Sequence, residues 1–209
     1  MSGIITQNSG RHTGLVKAGG AGGVWTLIKT LTSDGSDADL SFVDGASDVD
    51  LSSYDEYVFK FINIHPETDA SEFQFQANAS GGSGYNETMT TTLIQVAHSE
   101  DDTSEAGLNY GASDDQGQGT AFQNIYLNAG NDNDQSISGY LYCYGLPSTT
   151  FVKHFHSSIQ GSHNADSSFS YHCAGYFNTQ TAIDEISFKF SADEIQGGSI
   201  SLFGISWLT

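Results

Sequence analysis

Residues 54–65 constrain the fold more than any other stretch of the chain. In an extended backbone, Tyr57, Phe59 and Phe61 fall on one side, and Val58, Ile62 and Ile64 on the other. A strand that is apolar on both faces is covered on both sides or runs centrally in its sheet. His65-Pro66 ends the run, because proline brings no N–H to a ladder.

The same period of two recurs along the chain. Phe73, Phe75 and Ala77 alternate with Gln74 and Gln76. Phe169, Tyr171 and Cys173 alternate with Ser168, Ser170 and His172, and Ile186, Phe188 and Phe190 with Ser187 and Lys189. Further strands are predicted over residues 24–31, 39–43, 88–98, 122–128, 137–144, 150–157 and 199–207. Residues 88–98 also admit a short helix, through Met89, Leu93 and Val96. Asp34-Gly35 and Asp44-Gly45 mark tight turns. Residues 98–120 read as one long acidic loop.

About ten short strands with no long helical period predict an all-β protein. The specific expectation is an antiparallel β-sandwich, jelly-roll-like in its connections. The predicted core includes Phe59, Phe61, Phe73, Phe75, Phe188 and Leu202. Composition agrees, since the chain carries 13 Phe, 10 Tyr and 24 Gly, which suits strands joined by turns. A length of 209 residues fits one such domain. The domain is placed at residues 24–209, behind an extended N-terminal arm at residues 1–23.

The arm has no strand or helix period and is rich in glycine. It nevertheless carries two apolar pairs, Ile4-Ile5 and Leu15-Val16, with Arg11 and Lys17 nearby. These six residues are the predicted docking elements of the arm.

Charge separates the arm from the body. The chain has 6 Lys plus Arg against 25 Asp plus Glu, a net charge of -19. Residues 1–33 contain Arg11, Lys17 and Lys29 and no acid. So acidic a body repels phosphate backbones and anionic lipid, which argues against nucleic-acid and membrane partners. The basic start points to an interaction tail. It also lacks the continuous apolar stretch of a secretory signal, so none is expected.

Motifs for catalysis are absent. The sequence has no Gly-x-Ser-x-Gly elbow, no glycine-rich phosphate loop and no His-Glu-x-x-His pair, and a non-enzymatic role is expected. His154 and His156 would share a strand face, with His172 a third ligand from another strand. The plainer reading is exposed polar residues. Asp34, Asp37 and Asp39, and the cluster Asn131 to Asp134, match no calcium-loop spacing and read as solvated turns. No cofactor is expected. Cys143 and Cys173 read as buried free thiols, with a single disulfide as the alternative. Tyr140, Tyr142 and Tyr144 would share a face. Such a ladder binds sugars by stacking, forms a subunit interface, or caps the core with its hydroxyls at the rim.

Three segments carry a family likeness. Ser2-Gly3-Ile4-Ile5-Thr6-Gln7-Asn8-Ser9-Gly10 with Gly14-Leu15-Val16-Lys17 resembles the opening of small virion-associated proteins of tailed, especially marine, bacteriophages. Tyr54-Asp55-Glu56-Tyr57-Val58-Phe59-Lys60-Phe61 resembles their central strand. Ile183-Asp184-Glu185-Ile186-Ser187-Phe188 with Gly198-Ser199-Ile200-Ser201-Leu202-Phe203-Gly204-Ile205 resembles their closing hairpin. The chain departs in having Phe203 where Tyr is usual and in the added tail from Ser206 to Thr209.

The resemblance implies a jelly-roll module of a phage particle, either a tail-fibre or receptor-binding appendage or a capsid decoration. It implies assembly in the host cytoplasm, a homo-trimer, other capsid or tail proteins as partners, and a host surface glycan as a further one. The rival expectation is a free carbohydrate-binding module.

Overall fold

A computed structural model of the chain describes residues 24–206. The predicted docking residues Ile4, Ile5, Arg11, Leu15, Val16 and Lys17 lie outside the described residues. Those described form thirteen strands and no helix. In chain order they are β1 (Val24–Thr32), β2 (Leu40–Val43), β3 (Glu56–Pro66), β4 (Ser71–Ala79), β5 (Met89–Ser99), β6 (Ala106–Tyr110) and β7 (Gly117–Gly119). There follow β8 (Gln123–Ala129), β9 (Ile137–Tyr144), β10 (Lys153–His163), β11 (Ser167–Phe177), β12 (Ile183–Phe190) and β13 (Ile195–Ser206). Every pairing is antiparallel. The expectation of an all-β antiparallel body holds, and residues 88–98 are strand, not helix.

The sheet curls almost into a closed barrel. A wide arc runs β1-β13-β3-β9-β10-β11-β5-β6, with β7 also against β5. A narrow arc runs β8-β4-β12-β2. His163 of β10 pairs with Ala129 of β8 on one side, and an isolated bridge joins Asp37 to Ile195 on the other. The arcs therefore face each other, and the core fills the space between.

Aromatic rings make up its centre. Phe188 on β12 lies 5.1 Å from Phe59 and 5.2 Å from Phe61, both across the core on β3. It also touches Phe42, Phe73 and Phe75 within its own arc. Toward the other end, Phe75 meets Phe155 edge-on at 5.0 Å, and Tyr126 meets Tyr171 at 4.8 Å. All six predicted core residues are fully buried.

Two expectations need correction. Ile64 does not face away from Phe61, because β3 gains one residue against β9 between Phe61 and Ile64. Asn63 takes φ 50° in that bulge. The extra residue returns Ile64 to the core and leaves Ile62 exposed. Gly198 on β13 lies against this bulge with φ +101°, where a Cβ would sit 2.4 Å from the Asn63 carbonyl oxygen. Only glycine fits there.

The second correction concerns residues 98–120, which hold β6 and β7 where a loop was expected. They are tied down by polar contacts. Leu93 N–H donates to Asp115 Oδ1 at 2.6 Å, Gln116 N–H to Thr91 Oγ1 at 2.8 Å, and Gln123 Nε2 to the Asp114 carbonyl at 2.9 Å.

Because Phe188 bridges the two arcs, Phe188→Ala is expected to cost about 3–5 kcal/mol. Urea unfolding of the variant beside the parent chain measures the loss. A cost below about 1 kcal/mol would mean that the core does not close around this ring.

Candidate functional site

Period-two alternation gives the wide arc an inner and an outer face. Leu141 and Cys143 of β9, Phe155 and Ile159 of β10, and Phe169, Tyr171 and Cys173 of β11 point inward and are buried. Their neighbours point outward. Register then dictates which outer side chains meet. One row crosses the arc as Phe203, Val58, Tyr142, His156, Ala174 and Thr92. The next runs Lys60, Tyr140, Ser158, His172, Ile94 and Tyr110. On the other side lie Glu56, Tyr144, His154, Tyr176 and Thr90.

Tyr140, Tyr142 and Tyr144 share this outer face, as their spacing predicts. They form a packed ladder: Tyr140 meets Tyr142 edge-on at 5.2 Å, and Tyr142 stacks on Tyr144 at 6.4 Å. His156 joins it, nearly coplanar with Tyr142 at 5.0 Å. Trp25 from β1 closes the other side, 6.2 Å from Tyr142 and 5.3 Å from Phe203. Val58 belongs to this face yet is fully buried, flanked in register by Phe203 and Tyr142. The ladder is thus the cover that a strand apolar on both sides requires. Partial burial, with Glu56 nearby, pushes the Tyr142 and Tyr144 phenols above their ordinary range, so both stay protonated and neutral.

Beside the ladder the face dips. Ala174 is the smallest side chain in its row, set between His156 and Thr92. Two adjoining depressions share these three residues. One, of about 450 Å³, is walled by Tyr144, His154, Tyr176 and Thr90. The other, of about 250 Å³, is walled by Tyr140, Ser158, His172 and Ile94. No Asp, Glu, Lys or Arg lines either one. In a chain of charge -19, that makes a neutral trough of rings and hydroxyls on an acidic body.

His154, His156 and His172 all reach this outer face. Among the described residues, however, no group of three or more His, Cys, Asp or Glu is placed to hold a metal ion. His156 is engaged as a ring in the stack, and His154 lies 6.0 Å from Tyr176 in a tilted contact. The acidic turns are occupied with local bonds. Asp34 Oδ1 accepts from the Ser36 N–H and hydroxyl, and Asp37 Oδ2 from the Asp34 N–H. Asn131 Nδ2 donates to the Glu67 carbonyl.

Cys143 and Cys173 are free, buried thiols on β9 and β11, with β10 between them. Burial pushes the Cys173 thiol up to about 12. Lys153, just ahead of this face, is buried with Nζ 3.1 Å from the carbonyls of Phe151 and Thr179.

Sequence reasoning picked out the tyrosine ladder and the histidines but not the hollow beside them. Ala174, Thr90 and Thr92 carry no signal of their own, and their part is set by register. Comparison with protein-family models, curated proteins and solved structures gave no match.

Because Tyr142 sits between Trp25, its two ladder neighbours and His156, Tyr142→Ala is expected to destabilise the chain by about 1–3 kcal/mol, despite its place on the outer surface. Thermal or urea unfolding reads the effect. A change within about 0.5 kcal/mol would mean that the ladder does not cover the sheet.

Proposed function

We propose that the chain is a non-enzymatic structural protein of a tailed-phage virion. In this reading, residues 24–209 form a jelly-roll-like sandwich, and residues 1–23 anchor it to other capsid or tail proteins. The observation that carries the reading is the division of labour in the body. One face of the wide arc makes the core, and the other presents a ring-lined surface beyond what the core needs. The facing arcs, with their centre of stacked rings, support the sandwich form. The resemblance of the N-terminal segment, the central strand and the closing hairpin to virion-associated proteins supports the setting.

Opposite charge favours an arm docking on acidic surface, and the pairs Ile4-Ile5 and Leu15-Val16 supply short-range affinity. Deleting residues 1–20 is therefore expected to leave a body that melts like the full chain but is no longer incorporated into particles. Normal incorporation of the truncated chain would rule out anchoring by the arm.

A second reading, a carbohydrate-binding module, is favoured by the trough. Saccharides lay their apolar faces on aromatic rings and give their hydroxyls to polar side chains. Tyr144, Tyr176 and the histidines offer the rings here, and Thr90, Thr92 and Ser158 the hydroxyls. The lack of charge selects a neutral glycan over an acidic one. Titration with neutral oligosaccharides, followed by chemical-shift changes, is expected to move signals of β10 and β11. Ala174→Trp, which fills the trough, is expected to abolish them. Shifts that survive this substitution would place any sugar elsewhere.

A further inference from the structure

Two apolar patches lie at opposite ends of the outer face, each on an edge strand. Among the described residues, β1 pairs only with β13, and β6 only with β5. At the β1 end, Trp25 and Leu27 stand in register with Ile205 and Phe203 of the outer face. Leu27 is 56% exposed. At the β6 end, Ile94 faces Tyr110 and Val96 faces Leu108, which makes a four-residue cluster. Leu108 is 69% exposed and Tyr110 61% exposed. Neither patch serves the core. Unpaired edges carrying exposed apolar side chains are what natural sheets ordinarily blunt.

The charges at the two ends are opposite. Residues 1–33, which include β1, hold Arg11, Lys17 and Lys29 and no acid. Residues 98–120, which include β6 and β7, hold Glu100, Asp101, Asp102, Glu105, Asp114 and Asp115 and no Lys or Arg. Each patch alone would repel or ignore its own likeness. Set against each other, they match in apolar contact and in charge.

One molecule cannot make that match. The patches are separated by seven strand spacings, roughly 30 Å along the arc at about 4.8 Å per strand. The arc also curls around the core, so its outer face is convex. Two copies laid face to face would touch at the middle of the arc and not at both ends.

From this we infer that the chain associates with itself head to tail, the β1 edge of one copy against the β5–β6 hairpin of the next. Such a contact joins unlike surfaces, so it closes into a ring of three or more copies. It goes beyond the virion reading and stands whether or not that reading holds. The trough lies between the two contact edges and stays open in every copy.

The test uses full-length protein and two variants on exposed side chains. Leu27→Asp with Lys29→Glu spoils the β1 edge, and Leu108→Asp spoils the hairpin. Sedimentation equilibrium is expected to give a mass of three or more chains for the parent and of one chain for each variant alone. Melting curves confirm that the variants fold. An equimolar mixture of the variants retains one good edge of each kind and is expected to yield a two-chain species. Raising salt from 0.05 to about 1 M is expected to weaken the parent assembly at least tenfold, because the opposed charges are screened. A parent that stays monomeric at about 100 µM overturns the inference. So does either variant keeping the parent mass, or a mixture that remains monomeric.

Discussion

The fold depends on Phe188 reaching across the interior. It is a narrow-arc residue, yet its closest ring neighbours are Phe59 and Phe61 of the wide arc. Rings at these separations gain both from burial and from their preferred edge-on and offset geometry. The backbone joins the arcs through little more than the His163–Ala129 pairing and the Asp37–Ile195 bridge. Hydrogen bonding alone would leave the sheet free to open. Aromatic packing holds it shut and so decides which face of the wide arc turns outward.

The outer face follows from that closure. With the inner side chains of β3 and β9 committed to the core, their alternates Val58, Tyr140, Tyr142 and Tyr144 must face away. Val58 is apolar and has to be covered, so the tyrosines lie down over it with Trp25 and Phe203. Tyrosine suits this position, because its ring buries while its hydroxyl stays wet. Beyond the ladder the demand for cover lapses. Small residues at Ala174 and Thr92 leave the trough, and the β5–β6 hairpin ends the arc with bare apolar side chains. Core packing, the neutral trough and the exposed edges are thus consequences of a single alternation read from its two sides.

Much of this was legible in the residues. Alternation located most strands, the six core residues and the shared face of the tyrosine ladder, because a period of two is a local property. What escaped was non-local or below the threshold of pattern. The bulge at Asn63 reversed the expected side of Ile64, and nothing near it announces an extra residue. β6 and β7 lie in a stretch dense in Gly, Ser and acid, where strand propensity is low. They form because β5 offers an edge and Asp115, Gln116 and Gln123 tie the segment down. The trough could not be read at all, since Ala174 meets His156 and Thr92 only through pairings across three strands.

The central claim is that the outer face of the wide arc, with its two edges, is the surface this chain turns to its partners. Amide hydrogen exchange, followed by mass spectrometry at low and at high protein concentration, tests it most directly. The account predicts that exchange slows with concentration in Val24–Thr32 and in Ala106–Tyr110, while β4 and β12 of the narrow arc stay unchanged. Slowing that is confined to the narrow arc, or absent from both edges, would contradict it.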